Sequence, residues 1–123
     1  MFRRSSLLVL LTFFTGTFAV AEGRFLVGWA STSITPNLPV ALEGQFHTRI
    51  AKHVQDPVTA TALAIERIPE TGAAETGILI SCDLVAIRTG ILEGVRERLA
   101  SRLPGFDVRK VLLNATHTHT APV

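Results

Sequence analysis

The chain has 123 residues, enough for one small domain or for part of a larger one. With 47% apolar and 18% charged residues it is not a disordered tail. Its slight basic excess, 12 Lys and Arg against 10 Asp and Glu, rests on Arg3 and Arg4; no basic cluster interleaved with aromatics lies beyond them, which removes the electrostatic basis for nucleic acid as a partner.

The first element is a targeting segment. "MFRRSS" is positively charged, "LLVLLTFFTGTFAV" is uncharged and apolar, and Ala19, Val20 and Ala21 supply a small-residue cleavage site. That order describes a secretory signal peptide over residues 1–21. The run is shorter than the about 20 apolar residues a membrane-spanning helix needs. An uncleaved anchor or a buried N-terminal helix is the alternative. No cysteine sits near the cleavage site to carry a lipid. The expected product is exported, periplasmic or secreted, begins at Glu22, and carries equal numbers of basic and acidic residues.

"RFLVGWAS" (24–31) reads as a first strand, with Trp29 in the core. In "TSITPNLPVALEGQ", Pro36 and Pro39 exclude a helix or a central strand, leaving an extended loop that turns at Gly44. Phe46 is expected in the core, and His47 and His53, six residues apart, on solvated surface. "DPVTATALAIERI" (56–68) reads as a long strand and "PETGAAETG" (69–77) as a turn. "GILISCDLVAI" (77–87) is a near-continuous apolar run, the pattern of a strand covered on both faces. Its Cys82 is the chain's one cysteine, so it forms no internal disulfide and reads as a small buried hydrophobe.

"TGILEGVRERLASRL" (89–103) is a helix. Ile91, Leu92, Val95, Leu99 and Leu103 form one stripe, and Glu93, Arg96, Glu97 and Arg102 face outward. Thr89 is placed to cap its start, and Pro104 and Gly105 end it. "DVRKVLLNATHTH" (107–119) returns as a strand. The fold class is therefore α/β, strands followed by a βαβ unit with parallel pairing and a right-handed crossover.

This unit gives His117 and His119 a geometry. On a strand they share a face with Val111, Leu113 and Ala115, about 7 Å apart, at the carboxyl end where α/β sheets place their ligand sites. Two imidazoles so placed can converge on one metal ion, with zinc the default for nitrogen ligands; histidines merely solvated at a strand end are the plain alternative. A metallo-β-lactamase-like site would continue the pair as His-x-His-x-Asp-His, but Ala121 stands in place of the aspartate. Amidohydrolase barrels carry the pair on their first barrel strand, whereas other strands precede it here. Asp83 has three readings: an outer partner orienting a metal-bound histidine, a cap for the following helix, or an ion-pair partner of Arg88. Gly28 and Gly44 belong to no phosphate loop.

"NATHTHTAP" resembles the "THTHSGP"-type signature of the neutral/alkaline, non-lysosomal ceramidase family, and "VGWASTSITP" is similar to its opening "G-x-x-x-x-D-I-T-P" segment. The intervening strand, helix and strand run in the family's order. Ser33 stands where an acidic residue is common and "TAP" replaces "SGP", departures that point to a divergent branch with a different acyl-amide substrate. The resemblance implies that residues 22–123 are an N-terminal, incomplete piece of a larger α/β catalytic domain. It implies Zn2+ held by His117 and His119, with a third histidine, a glutamate and a tyrosine supplied by later sequence. The implied reaction is metal-assisted hydrolysis of ceramide or a related N-acyl lipid amide to a fatty acid and a sphingoid base, with peripheral contact to membrane lipid. The competing expectation is a small secreted α/β binding module, or a truncated remnant, without catalysis of its own.

Overall fold

The computed structural model describes residues 23–122; the expected signal peptide, residues 1–21, lies outside them. Four strands form one sheet: β1 (Gly23–Ser33), β4 (Thr59–Pro69), β5 (Glu75–Cys82) and β6 (Val111–Ala115), in the order β1-β4-β5-β6. Two short strands between β1 and β4, β2 (Val40–Leu42) and β3 (Arg49–Ala51), pair as a separate hairpin.

The first three strands of the sheet run antiparallel, Trp29 opposite Leu63 and Leu63 opposite Leu79. β5 and β6 are parallel, Ile78 beside Val111 and Cys82 beside Ala115, joined through the helix α1 (Ile91–Arg102). This is the expected βαβ unit.

Helix α1 begins one turn-forming residue later than Thr89 suggests. Gly90, at φ 86, is its N-cap and no side chain caps the helix, because the chain enters through a left-handed residue that only glycine adopts cheaply. Glu93 and Glu97 are exposed, as expected. Arg96 is not turned outward: its guanidinium donates to the carbonyls of Arg109 (3.2 Å) and Val111 (3.0 Å), tying helix to returning strand. A 3₁₀ turn (Val108–Lys110) precedes β6, started by Asp107 accepting from the Arg109 backbone. The Arg109 guanidinium holds the Asp107 carboxyl down at about 2.

The core lies on one face only. Strand alternation puts Ala60, Ala62, Ala64, Ile78, Ile80, Cys82, Val111 and Leu113 on that face, and the buried side chains Cys82 and Val111 belong to it. Burial, and then the charge of Asp83, push the Cys82 thiol above its usual value, fitting the reading of an inert hydrophobe. The opposite face carries Phe25, Val27, Trp29, Ile65, Leu79 and Leu112, all open. Trp29 is 77% exposed, so its expected place in the core is corrected; Phe46, in the loop between β2 and β3, is likewise fully exposed. Trp29 has the apolar row Leu63, Leu79 and Leu112 beside it, but nothing in residues 23–122 packs on top.

Two strand ends differ from the sequence reading. The apolar run 77–87 leaves the sheet after Cys82, whose carbonyl accepts from both Leu84 (2.8 Å) and Thr116 (2.9 Å). With β5 ended, β6 loses its neighbour and stops at Ala115. His117 and His119 therefore sit in the loop beyond the strand and not on its face.

Candidate metal centre

His117 takes φ 64, outside the strand region, and its backbone amide donates to the carbonyl of Leu84 at 3.0 Å. This turns its ring toward the 83–87 loop, where Nδ1 donates to the Val85 carbonyl at 2.8 Å. His119 is fixed by the loop after β2. Its Nδ1 donates to the Gly44 carbonyl at 2.7 Å, and its own carbonyl accepts from Gln45 (3.0 Å) and Arg49 (3.2 Å). Glu43 completes the strap, its backbone amide bonded to the Ala121 carbonyl at 3.0 Å and its carboxylate paired with Arg88.

These bonds decide the chemistry of the pair. A carbonyl only accepts, so Nδ1 of each ring must carry the hydrogen, and in the neutral ring Nε2 is left with its lone pair. The two Nε2 atoms lie 3.4 Å apart, with ring centroids separated by 5.1 Å and planes at 77°. Two neutral rings so held would leave two Nε2 lone pairs in contact, which either a hydrogen carried by one of the rings or a cation bound by both would satisfy. Two nitrogen ligands at tetrahedral positions on one zinc, each about 2.0–2.1 Å from it, would lie about 3.3–3.4 Å apart. The donor set fits the metal in atom type, tautomer and spacing. The strand geometry expected from the sequence, about 7 Å between side chains of one face, is replaced by a tighter convergence in a loop. Both rings remain exposed, open to further ligands and to a substrate. Among the described residues, no group of three or more His, Cys, Asp or Glu gathers around one point.

No family model and no curated protein matches the chain. Solved structures do. The neutral ceramidase from Pseudomonas aeruginosa aligns with a TM-score of 0.70 at 24% identity, over 83% of this chain and 16% of that one. A ceramidase complexed with C2 aligns with a TM-score of 0.66 at 22% identity, again over 83% of this chain and 16% of the other. The fold is ceramidase-like. The chain thus corresponds to a small part of the length of the ceramidases it matches.

Within this ceramidase-like piece the other singled-out residues fall as follows. Asp83 touches neither imidazole: its carboxylate accepts from the Thr59 amide (2.9 Å) and hydroxyl (2.8 Å), pinning the start of β4 to the end of β5. The Thr59 amide, then its hydroxyl, lower the Asp83 pKa below the ordinary carboxylate value. It does not cap α1, and Arg88 pairs with Glu43 instead. The outer-partner position expected for Asp83 is taken by two backbone carbonyls, those of Val85 and Gly44, which no residue-type pattern marks. His47 and His53 are exposed; His53 lines a cleft of about 830 Å³ shared with Thr118 and Thr120, and the two motif rings do not line it.

Proposed function

We propose that the chain is the N-terminal part of an exported, zinc-dependent amidohydrolase of the ceramidase kind. The substrate class is ceramide or a related N-acyl lipid amide, and the products are a fatty acid and a sphingoid base. The observation that supports this most is the pair of Nε2 atoms of His117 and His119, 3.4 Å apart with their Nδ1 hydrogens committed to carbonyls. The ceramidase-like fold and the resemblance of "NATHTHTAP" to the ceramidase signature add to it.

In this reading His117 and His119 hold Zn2+, which when bound supplies Lewis-acid activation of the amide carbonyl and of water. The Val85 and Gly44 carbonyls keep both rings in the tautomer that offers Nε2. The remaining ligands and the proton donor come from sequence outside residues 23–122, and the open side of the ring pair leaves room for them. A lipid substrate implies peripheral contact of the protein with membrane.

The test is direct. The complete gene product should contain one zinc per chain and release fatty acid from an N-acylsphingosine, and chelation followed by zinc should abolish and restore that release. Stoichiometric zinc without amide hydrolysis would favour a binding module instead. Export is tested separately, by sequencing the N-terminus of the product recovered outside the cytoplasm; it should begin at Glu22, and a mature chain still starting "MFRRSS" rules cleavage out.

A further inference from the structure

We infer that Asp83 is the positioning residue of His117, because it anchors the turn after β5 whose carbonyls hold that histidine. The inference rests on the zinc reading above, and only on the part of it that makes His117 a ligand.

The contacts run from the sheet to the ring. Asp83 and Thr59 are joined by three hydrogen bonds. The Asp83 amide donates to the Thr59 carbonyl at 2.9 Å, and Oδ2 of Asp83 accepts from the Thr59 amide at 2.9 Å and from its hydroxyl at 2.8 Å. Thr59 opens β4, an inner strand flanked by β1 and β5, so the anchor is part of the sheet. The Leu84 amide donates back to the Cys82 carbonyl at 2.8 Å, which makes Asp83 the central residue of a γ-turn at the strand's end.

That turn aims the acceptors that follow it. The Leu84 carbonyl accepts from the His117 amide at 3.0 Å, and the Val85 carbonyl accepts from His117 Nδ1 at 2.8 Å. The Cys82 carbonyl also accepts from the Thr116 amide at 2.9 Å. His117 stands at φ 64, a conformation a residue with a side chain keeps only where its surroundings over-determine it. The carbonyls of residues 82, 84 and 85 are those surroundings. A backbone carbonyl cannot be aimed apart from the chain that carries it, so the group that fixes the turn fixes the ring.

The acceptor and the charge of Asp83 are separable. Asp83→Asn keeps an oxygen for the Thr59 amide and hydroxyl and removes the charge, whereas Asp83→Ala removes both. Loss of stability is separable as well. Gly90 has φ 86 and open space where a Cβ would point, so Gly90→Ala strains the backbone without touching the turn or the histidines.

The experiment loads the complete protein with zinc, measured by competition with a chelator, and with cobalt, read through its visible ligand-field spectrum. Asp83→Ala is expected to weaken zinc binding about 10-fold, the lower end of what losing a ligand's outer partner costs, and to change the cobalt spectrum. Asp83→Asn and Gly90→Ala are expected to keep the affinity and spectrum of wild type, although Gly90→Ala lowers thermal stability. Equal zinc affinity in Asp83→Ala and wild type overturns the inference while the zinc reading stands. Equal weakening in Asp83→Asn overturns it too, since charge and not anchoring then acts, and equal weakening in Gly90→Ala reduces the effect to lost stability. A wild type that binds neither metal removes the zinc reading and this inference together. Should Asp83→Ala not fold, Thr59→Val decides: it deletes one of the three bonds and is expected to weaken zinc about 2–10-fold, and unchanged affinity there overturns the proposal.

Discussion

Replacing His117 or His119 by alanine in the complete protein is expected to lower zinc affinity by more than two orders of magnitude. Losing only an outer partner of a ligand already costs about 10–100-fold, and here a ligand itself is lost. Hydrolysis of an N-acylsphingosine should fall in step with bound zinc. The two variants should be alike, because the nitrogens are equivalent in the structure: each Nε2 faces the other at 3.4 Å, and each Nδ1 is held by one carbonyl. His47→Ala and His53→Ala should change neither metal content nor turnover, since both rings are exposed and neither approaches the pair. Metal content has to be measured beside the rate, because a fall in activity at full zinc occupancy would assign the rings to substrate contact and not to ligation. If both motif variants kept stoichiometric zinc and near-normal hydrolysis, the histidines would be structural and the amidohydrolase reading would fail. Equal zinc loss in His53→Ala would place a further ligand in the connection between β3 and β4.

The pair itself was legible in the sequence, but its geometry was not. His-x-His after an apolar run reads as the end of a strand, and the strand does run toward it. What moves the rings off the strand is remote: β5 stops at Cys82, β6 then stops at Ala115, and His117 takes a positive φ to reach the Leu84 and Val85 carbonyls. Backbone acceptors carry no residue-type signature, so neither Val85 nor the role of Gly44 beyond a turn could be read from composition or spacing. The βαβ unit was readable because Leu92, Val95 and Leu99 repeat at helical spacing between two apolar runs, and Pro104 and Gly105 stop the helix. The β2–β3 hairpin was not, since two strands of only three residues, the first directly after Pro39, give no periodicity to detect. Trp29 marks a different limit. Alternation assigns it correctly to a face with Leu63, Leu79 and Leu112, but period alone cannot say whether that face is covered within the chain.

That uncovered face yields the second expected result: residues 22–123, expressed alone, should not form a stable monomer and should not hydrolyse ceramide at any zinc concentration. Only Cys82, Val111 and Ala121 are buried hydrophobics among the described residues, whereas Phe25, Val27, Trp29, Ile65, Leu79 and Leu112 are between 37% and 77% exposed. Full burial of one such side chain is worth about 1.5–3 kcal/mol, so the six open ones forgo roughly 5–10 kcal/mol, about the whole stability of an ordinary domain. Strand β1 compounds the problem, because its eleven residues are all exposed and form one edge of the sheet, a template for pairing with other chains. The isolated piece is therefore expected to bind a hydrophobic dye, to lack a cooperative unfolding transition and to associate as its concentration rises. Trp29→Lys separates the explanations. In the isolated piece it should reduce association, since it places charge on an open apolar face. If residues 22–123 are part of a larger domain, as proposed, the same change in the complete protein should cost about 3 kcal/mol or more, because Trp29 would be covered there. A piece that is monomeric, dye-negative and cooperatively folded at micromolar concentration would show that the face is ordinary surface. Equal tolerance of Trp29→Lys in both contexts would show that no further sequence covers it.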